Sequence, residues 1–130
     1  VLNQQITLRA AHVRKARLTV REQLAASGYG PDDISTIETV VAELLGAAVE
    51  SGVRGQVQLT VQTFPLLTNV RVRCSRDVSL DTEPLGLRER ILERLTVGVG
   101  YRRNGDDTYD LWAEVPRRTN GRAMFGDVGG

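Results

Sequence analysis

The sequence predicts an α+β fold: a two-layer sandwich whose mixed, mostly antiparallel five-stranded sheet carries three helices on one face, in the order βααββαββ. Two patterns point to it. Five short segments alternate apolar and polar residues, the mark of strands buried on one face and open to solvent or a partner on the other. Three longer segments repeat apolar residues every three or four positions, as helices do when they lay one stripe on a sheet.

Taken in order, Gln4 to Arg9 alternates, with Ile6 and Leu8 on one side and Gln5, Thr7 and Arg9 on the other. From Ala11 to Ser27 the residues Val13, Ala16, Val20 and Leu24 form a helical stripe with Arg14, Arg17 and Arg21 between them, and Gly28 supplies a left-handed cap. Gly30 and Pro31 then open a second helix. Proline is tolerated there because its missing N–H would have had no partner, and Asp32 and Asp33 face the positive end of the helix dipole. Ile34, Ile37, Val41, Leu44, Leu45 and Ala48 give this helix the clearest stripe in the chain, and Gly52 stops it.

Val57, Leu59 and Val61 alternate inward, Phe64 to Leu66 turns, and Val70, Val72 and Cys74 alternate back, so two antiparallel strands follow from the short connection. After Pro84, the residues Leu85, Leu87, Ile91, Leu92 and Leu95 mark a third helix. Val97, Val99 and Tyr101 lead to a turn centred on Asn104-Gly105, and Tyr109, Leu111, Ala113 and Val115 return as the closing hairpin. Residues 1–116 thus form one domain, and 117–130, rich in Arg and Gly, read as a flexible C-terminal tail.

Composition narrows the function. The length of 130 residues suits a single domain, and 17 basic against 16 acidic side chains create no global field for nucleic acid or an anionic membrane. His12 and Cys74 are the sole residues of their kinds, which excludes an internal disulfide and a Cys/His zinc site and leaves no evident Cys-His catalytic pair. Cys74, inward on a strand, reads as a small core hydrophobe. With no apolar run near the length of a membrane helix and no signal-peptide pattern, a cytoplasmic location is expected.

Ala42 to Gly52 reads A-E-L-L-G-A-A-V-E-S-G, the third helix opens on Gly86-Leu87, and the last strand ends W-A-E-V-P. With the order of elements, these stretches resemble the GHKL ATP-binding fold of gyrase, histidine kinases and the bacterial anti-sigma-factor serine kinases. The likeness is strongest to the small single-domain anti-sigma members and spans Gln4 to Arg117. In that family the second helix reads roughly S-E-L-x-x-N-A-x-x-H-G, which Glu43, Leu44, Ala48 and Gly52 match. The resemblance implies ATP or ADP with magnesium as cofactor and Glu43 as general base.

The departures fall on the chemistry. Ala47 stands where the family's asparagine carries magnesium, and a methyl has no oxygen for a hard cation. The family's D-x-G-x-G, whose acid reads adenine and whose glycines let the backbone approach it, is replaced by Arg76, Asp77, Val78, Ser79, Leu80. Nine residues separate Arg76 from Gly86, where the family has a much longer phosphate lid. The expected site is therefore vestigial: Glu43, Ala47, Arg76, Asp77, Val78, Gly86 and Leu87, with no metal ligand and with Glu43 catalytic only in a working kinase. Beside this stand plainer readings, in which Glu43 and Arg76 are solvated charges and Gly46-Ala47-Ala48 lets the sheet approach the helix closely.

The expected function is a protein-binding regulator of transcription that resembles an anti-sigma factor and no longer hydrolyses ATP. Its implied partners are a sigma factor or a sulfate-transporter-and-anti-sigma-antagonist (STAS) domain, with a homodimer as a further expectation and neither nucleic acid nor membrane. The alternatives are a working magnesium-dependent serine/threonine kinase and an accessory or sensor domain of a longer regulatory protein. Alternation places Thr7, Arg9, Gln58, Thr60, Arg71, Arg73, Trp112 and Glu114 on the face opposite the helices. Of these, Arg9, Arg71, Arg73 and Trp112 have the composition of an interface centre, unless the arginine stems simply cover the indole.

Overall fold

In the computed structural model, which describes residues 2–7, 9–50, 53, 55–75 and 88–118, the alternating segments pair into one sheet. The elements are β1 (Leu2–Thr7), α1 (Ala10–Ala26), α2 (Pro31–Glu50), β2 (Gln56–Thr63), β3 (Leu67–Ser75), α3 (Arg88–Leu95), β4 (Gly98–Arg103) and β5 (Thr108–Pro116). The strand order is β1-β2-β3-β5-β4, and all four pairings are antiparallel. The α+β sandwich and its element order match the reading of the sequence.

Period-two alternation explains the inner face. Ile6 pairs with Val57, Leu59 with Val72, Val70 with Ala113, and Cys74 with Tyr109, and all eight are buried. Against them lies α2, whose Val40, Val41, Leu44, Leu45, Ala47 and Ala48 have no exposed surface. Truncating a leucine such as Leu44 here would cost about 2–5 kcal/mol, since packed neighbours collapse only partly into the space left. Ala16, Val20 and Leu24 carry α1 onto the same core, and Leu92 carries α3. Among the described residues no helix is long and apolar enough to cross a membrane.

Gly28 does cap α1, at φ +83°, with Tyr29 N–H bonding Leu24 O at 3.0 Å. This is the 6→1 bond of a Schellman motif, and its usual apolar contact is present because Leu24 and Tyr29 share the core.

Three expectations are displaced. Thr7 ends β1, and Arg9 is the extended N-cap of α1, its carbonyl accepting the Val13 N–H at 2.9 Å, so Arg9 leaves the open face for the helical side. Val97 and Tyr101 stay 69% and 47% exposed, because β4 is the sheet's outer strand and only the short α3 reaches over it. In the β4–β5 turn the left-handed residue is Asp107, at φ 64°, and not Gly105; the loop closes through Asn104 N–H to Thr108 O, and Asp is one of the few residues that tolerate this region. Arg117, the first residue of the expected tail, contacts the domain. Its N–H bonds Leu66 O at 2.9 Å, its guanidinium lies 4.1 Å over the Tyr29 ring, and the Arg118 N–H reaches the Asp33 carboxylate at 3.0 Å. Leu8, Gly52, Leu85 and residues 119–130 lie outside the described residues.

Candidate functional site

The expected site begins on α2. A helix turns 3.6 residues per revolution, so Glu43, Gly46 and Glu50 share one flank while Ala47 points elsewhere. Ala47 faces the core with no exposure. On the flank, the first residue of α3 lies across α2: Arg88 donates from Nη1 to Glu43 Oε2 and from Nε to Glu50 Oε1, each at 2.7 Å. Gly46 makes the approach possible, since a Cβ there would stand 2.5 Å from Arg88 Cζ. The glycine therefore admits a guanidinium and not the sheet. Its helix penalty, about 1 kcal/mol against alanine, is offset by this contact.

The arrangement fixes charge as well as shape. Hydrogen bonding from Arg88 holds the Glu50 carboxyl below its ordinary range, although Glu50 is itself exposed, and the two glutamates, Glu50 first, hold the Arg88 guanidinium above its own. Glu43 shares the same guanidinium through the 2.7 Å contact from Nη1. Among the described residues no cluster of three or more His, Cys, Asp or Glu is arranged to hold a metal ion. Arg76, Asp77, Val78, Gly86 and Leu87 lie outside the described residues, so Glu43 and Ala47 are the members of the expected site that the structure locates.

The second candidate surface is the open face of the sheet. Register puts Arg71 beside Trp112 and Trp112 beside Gly100, and one step along, Arg73 beside Asp110 and Asp110 beside Arg102. The indole rests on a glycine floor: a Cβ at Gly100 would be 3.0 Å from Trp112 Cζ2, and one at Gly98 would be 3.3 Å from Cζ3. Half-buried Trp112 is therefore seated on β4 and keeps one face toward solvent. Arg71 Nε and its cross-strand neighbour Thr60 Oγ1 are buried without a hydrogen-bond partner among the described residues.

Arg73 is committed elsewhere. It forks onto Asp110 through Nε at 2.8 Å and Nη2 at 3.1 Å, with Arg102 3.7 Å away on the other side. Asp110 is 1% exposed. Burial pushes its carboxyl up, but the Arg73 hydrogen bond and charge, with Asn104 and Arg71, outweigh it and leave the carboxyl below its ordinary range. Of the expected partner face, Arg71 and Trp112 lie on the open side of the sheet, Arg73 is held in an internal pair with Asp110, and Arg9 lies on the helical side.

Three features escaped the sequence reading. Arg88 carries no local sign of its target, because Glu43 is 45 residues away. Gly98-x-Gly100, at outward strand positions opposite a tryptophan, was a usable signal for a seated ring. Asp110, an acid at an outward position between two arginine-bearing strands, was a signal for a buried pair.

The topology, three helices on one face of a five-stranded antiparallel sheet, is shared with a solved structure. A chain in the crystal structure of the SiaB–SiaC complex from Pseudomonas aeruginosa superposes on it with a TM-score of 0.56 and 9% identity, covering 89% of each chain. The catalytic domain of the histidine kinase ThkA (TM1359) is 14% identical over 90% of this chain and 98% of that one, at a TM-score of 0.49, too low to add weight. No family model matches the sequence, and no curated protein does.

Proposed function

We propose that this chain is a protein-binding regulator that resembles an anti-sigma factor and has given its nucleotide site over to structure. One observation carries the reading: the Arg88 guanidinium lies on α2 at Gly46 and engages Glu43, the residue the resemblance would make a general base. The carboxylate that would have to act as base is occupied by a guanidinium at 2.7 Å, and the buried methyl of Ala47 has no oxygen for magnesium. The described part of the site does not fit a magnesium-held triphosphate, so we route no chemistry through one.

What remains is recognition. The solved chain that this fold resembles was crystallised in a complex of two proteins, which supports a protein partner here. A sigma factor or a STAS-domain antagonist is the partner the resemblance favours, and regulation of transcription the setting. Trp112 and Arg71 on the open face are of the residue types that dominate hot spots, and a symmetric pair of copies through that face is the simplest assembly.

Calorimetric titration with ADP and magnesium tests the reading. The expected result is no binding tighter than about 1 mM; micromolar affinity, about −8 kcal/mol, would overturn it in favour of the working serine/threonine kinase. For the face, a folded Trp112→Ala variant is expected to change oligomeric state or partner affinity.

A further inference from the structure

Charge is divided between neighbouring helices. From Arg9 to Ala26 the chain has five basic side chains, Arg9, Arg14, Lys15, Arg17 and Arg21, against the single acid Glu22. From Pro31 to Glu50 it has five acids and no base. The two sets meet at Glu38, which pairs with Arg21 and, at 3.9 Å, with Arg17. Toward the N-terminal half of α1 that neutralisation stops. Among the described residues neither Arg9 nor Arg14 has an acidic partner.

At that end a groove of about 480 Å³ runs between the N-terminal half of α1 and the C-terminal half of α2. Val13, Ala42 and Val49 give it an apolar lining, and Val49 is 49% exposed. Arg9, Arg14 and Arg17 form one bank; Glu50 and Arg88 stand on the other. Arg9, Val13 and Arg17 are spaced i, i+4, i+8, so the cationic bank extends about 12 Å, at 1.5 Å per residue, along the helix axis.

We propose that this groove docks an acidic amphipathic helix of a partner protein. The inference rests on the protein-binding reading and adds a surface, distinct from Trp112, with the chemistry of its occupant. The apolar lining calls for apolar anchors at i, i+3 or i+4 and i+7, and the unneutralised Arg9 and Arg14 call for carboxylates on the side of the occupant that faces α1. A nucleic-acid backbone would leave the apolar lining unfilled and meet Glu50 on the far bank. A lipid surface is flat, and this site is concave.

The probe is a fluorescein-labelled synthetic helix with leucine anchors at that spacing and glutamates along one flank, followed by anisotropy with the full chain. Controls are a scrambled peptide of the same composition, duplex DNA and phosphatidylserine vesicles. Binding of the patterned peptide is expected to weaken with salt. It should fall by at least about tenfold in Arg9→Glu/Arg14→Glu and again in Val49→Asp, both at exposed positions that leave thermal unfolding unchanged, and stay the same in Trp112→Ala. No binding, equal binding of the scrambled peptide, tighter binding of DNA or vesicles, or wild-type affinity in either groove variant would overturn the proposal. Failure of the peptide leaves the regulator reading standing on its ADP titration, whereas micromolar ADP would undo that reading, on which the groove proposal rests, whatever the peptide does.

Discussion

Asp110 and Glu50 each accept an arginine Nε–H, at 2.8 and 2.7 Å, yet they sit in opposite surroundings. Asp110 is 1% exposed on the sheet; Glu50, on α2, has 61% of its side chain exposed. Equal geometry does not mean equal energy. Removing one partner from a buried pair strands the other charge away from water, whereas an exposed carboxylate that loses its arginine is simply rehydrated. The Arg73–Asp110 pair is therefore part of what holds β3 to β5, and the Arg88 bridge is a cover over α2 that the fold can spare.

The largest expected effect is at Arg73. Arg73→Met should cost about 3 kcal/mol in urea unfolding, because Asp110 is left buried without its forked ion pair. A loss below about 1 kcal/mol would erase the distinction from Glu50.

Acid titration sharpens the comparison. The folded Asp110 carboxyl is held below its unfolded value, so the folded state binds fewer protons between the two and stability falls as pH drops through that window. Asp33 behaves oppositely. It is 6% exposed, and burial raises it despite the Arg118 N–H and the nearby Arg117 and Arg118 charges. It therefore withdraws stability as pH rises from its unfolded value through its folded one. Unfolding measured across acid pH should show Arg73→Met with a flattened loss on acidification and Asp33→Asn with a gain on the neutral side.

Smaller effects belong to α2. Arg88→Met should change stability by at most about 1 kcal/mol. In Gly46→Ala the new Cβ displaces the Arg88 guanidinium, a flexible side-chain end, and recovers about 1 kcal/mol of helix propensity, so the variant should unfold within about 1 kcal/mol of the wild type. A loss of several kcal/mol in either would make the bridge structural. Cys74 supplies the last check. Burial pushes its thiol up to about 11, so it should react with a disulfide reagent only as fast as the protein opens.

Most of the fold was legible because burial is periodic. Val57, Leu59, Val70, Val72, Leu111 and Ala113 occupy the inner face that alternation assigned them, and the α2 stripe is buried as its spacing required. Arg9 was not placed correctly, since alternation cannot say where a strand ends, and Tyr101 lies on the inner face opposite Leu111 yet stays exposed, since alternation cannot say how far a helix covers its neighbours. For the expected site, the lack of a side-chain oxygen at Ala47 was visible in the sequence, but the pairing that engages Glu43 was not.

By itself, then, the sequence determined the two-layer architecture, the composition of its core and the residue types on its outer sheet face, because apolar periodicity is a local property of the chain. Tertiary structure alone decided which charges meet. Arg88 finds Glu50 across 38 residues and Arg73 finds Asp110 across 37, and only the packing of α3 on α2 and the register of β3 against β5 bring them within hydrogen-bonding distance.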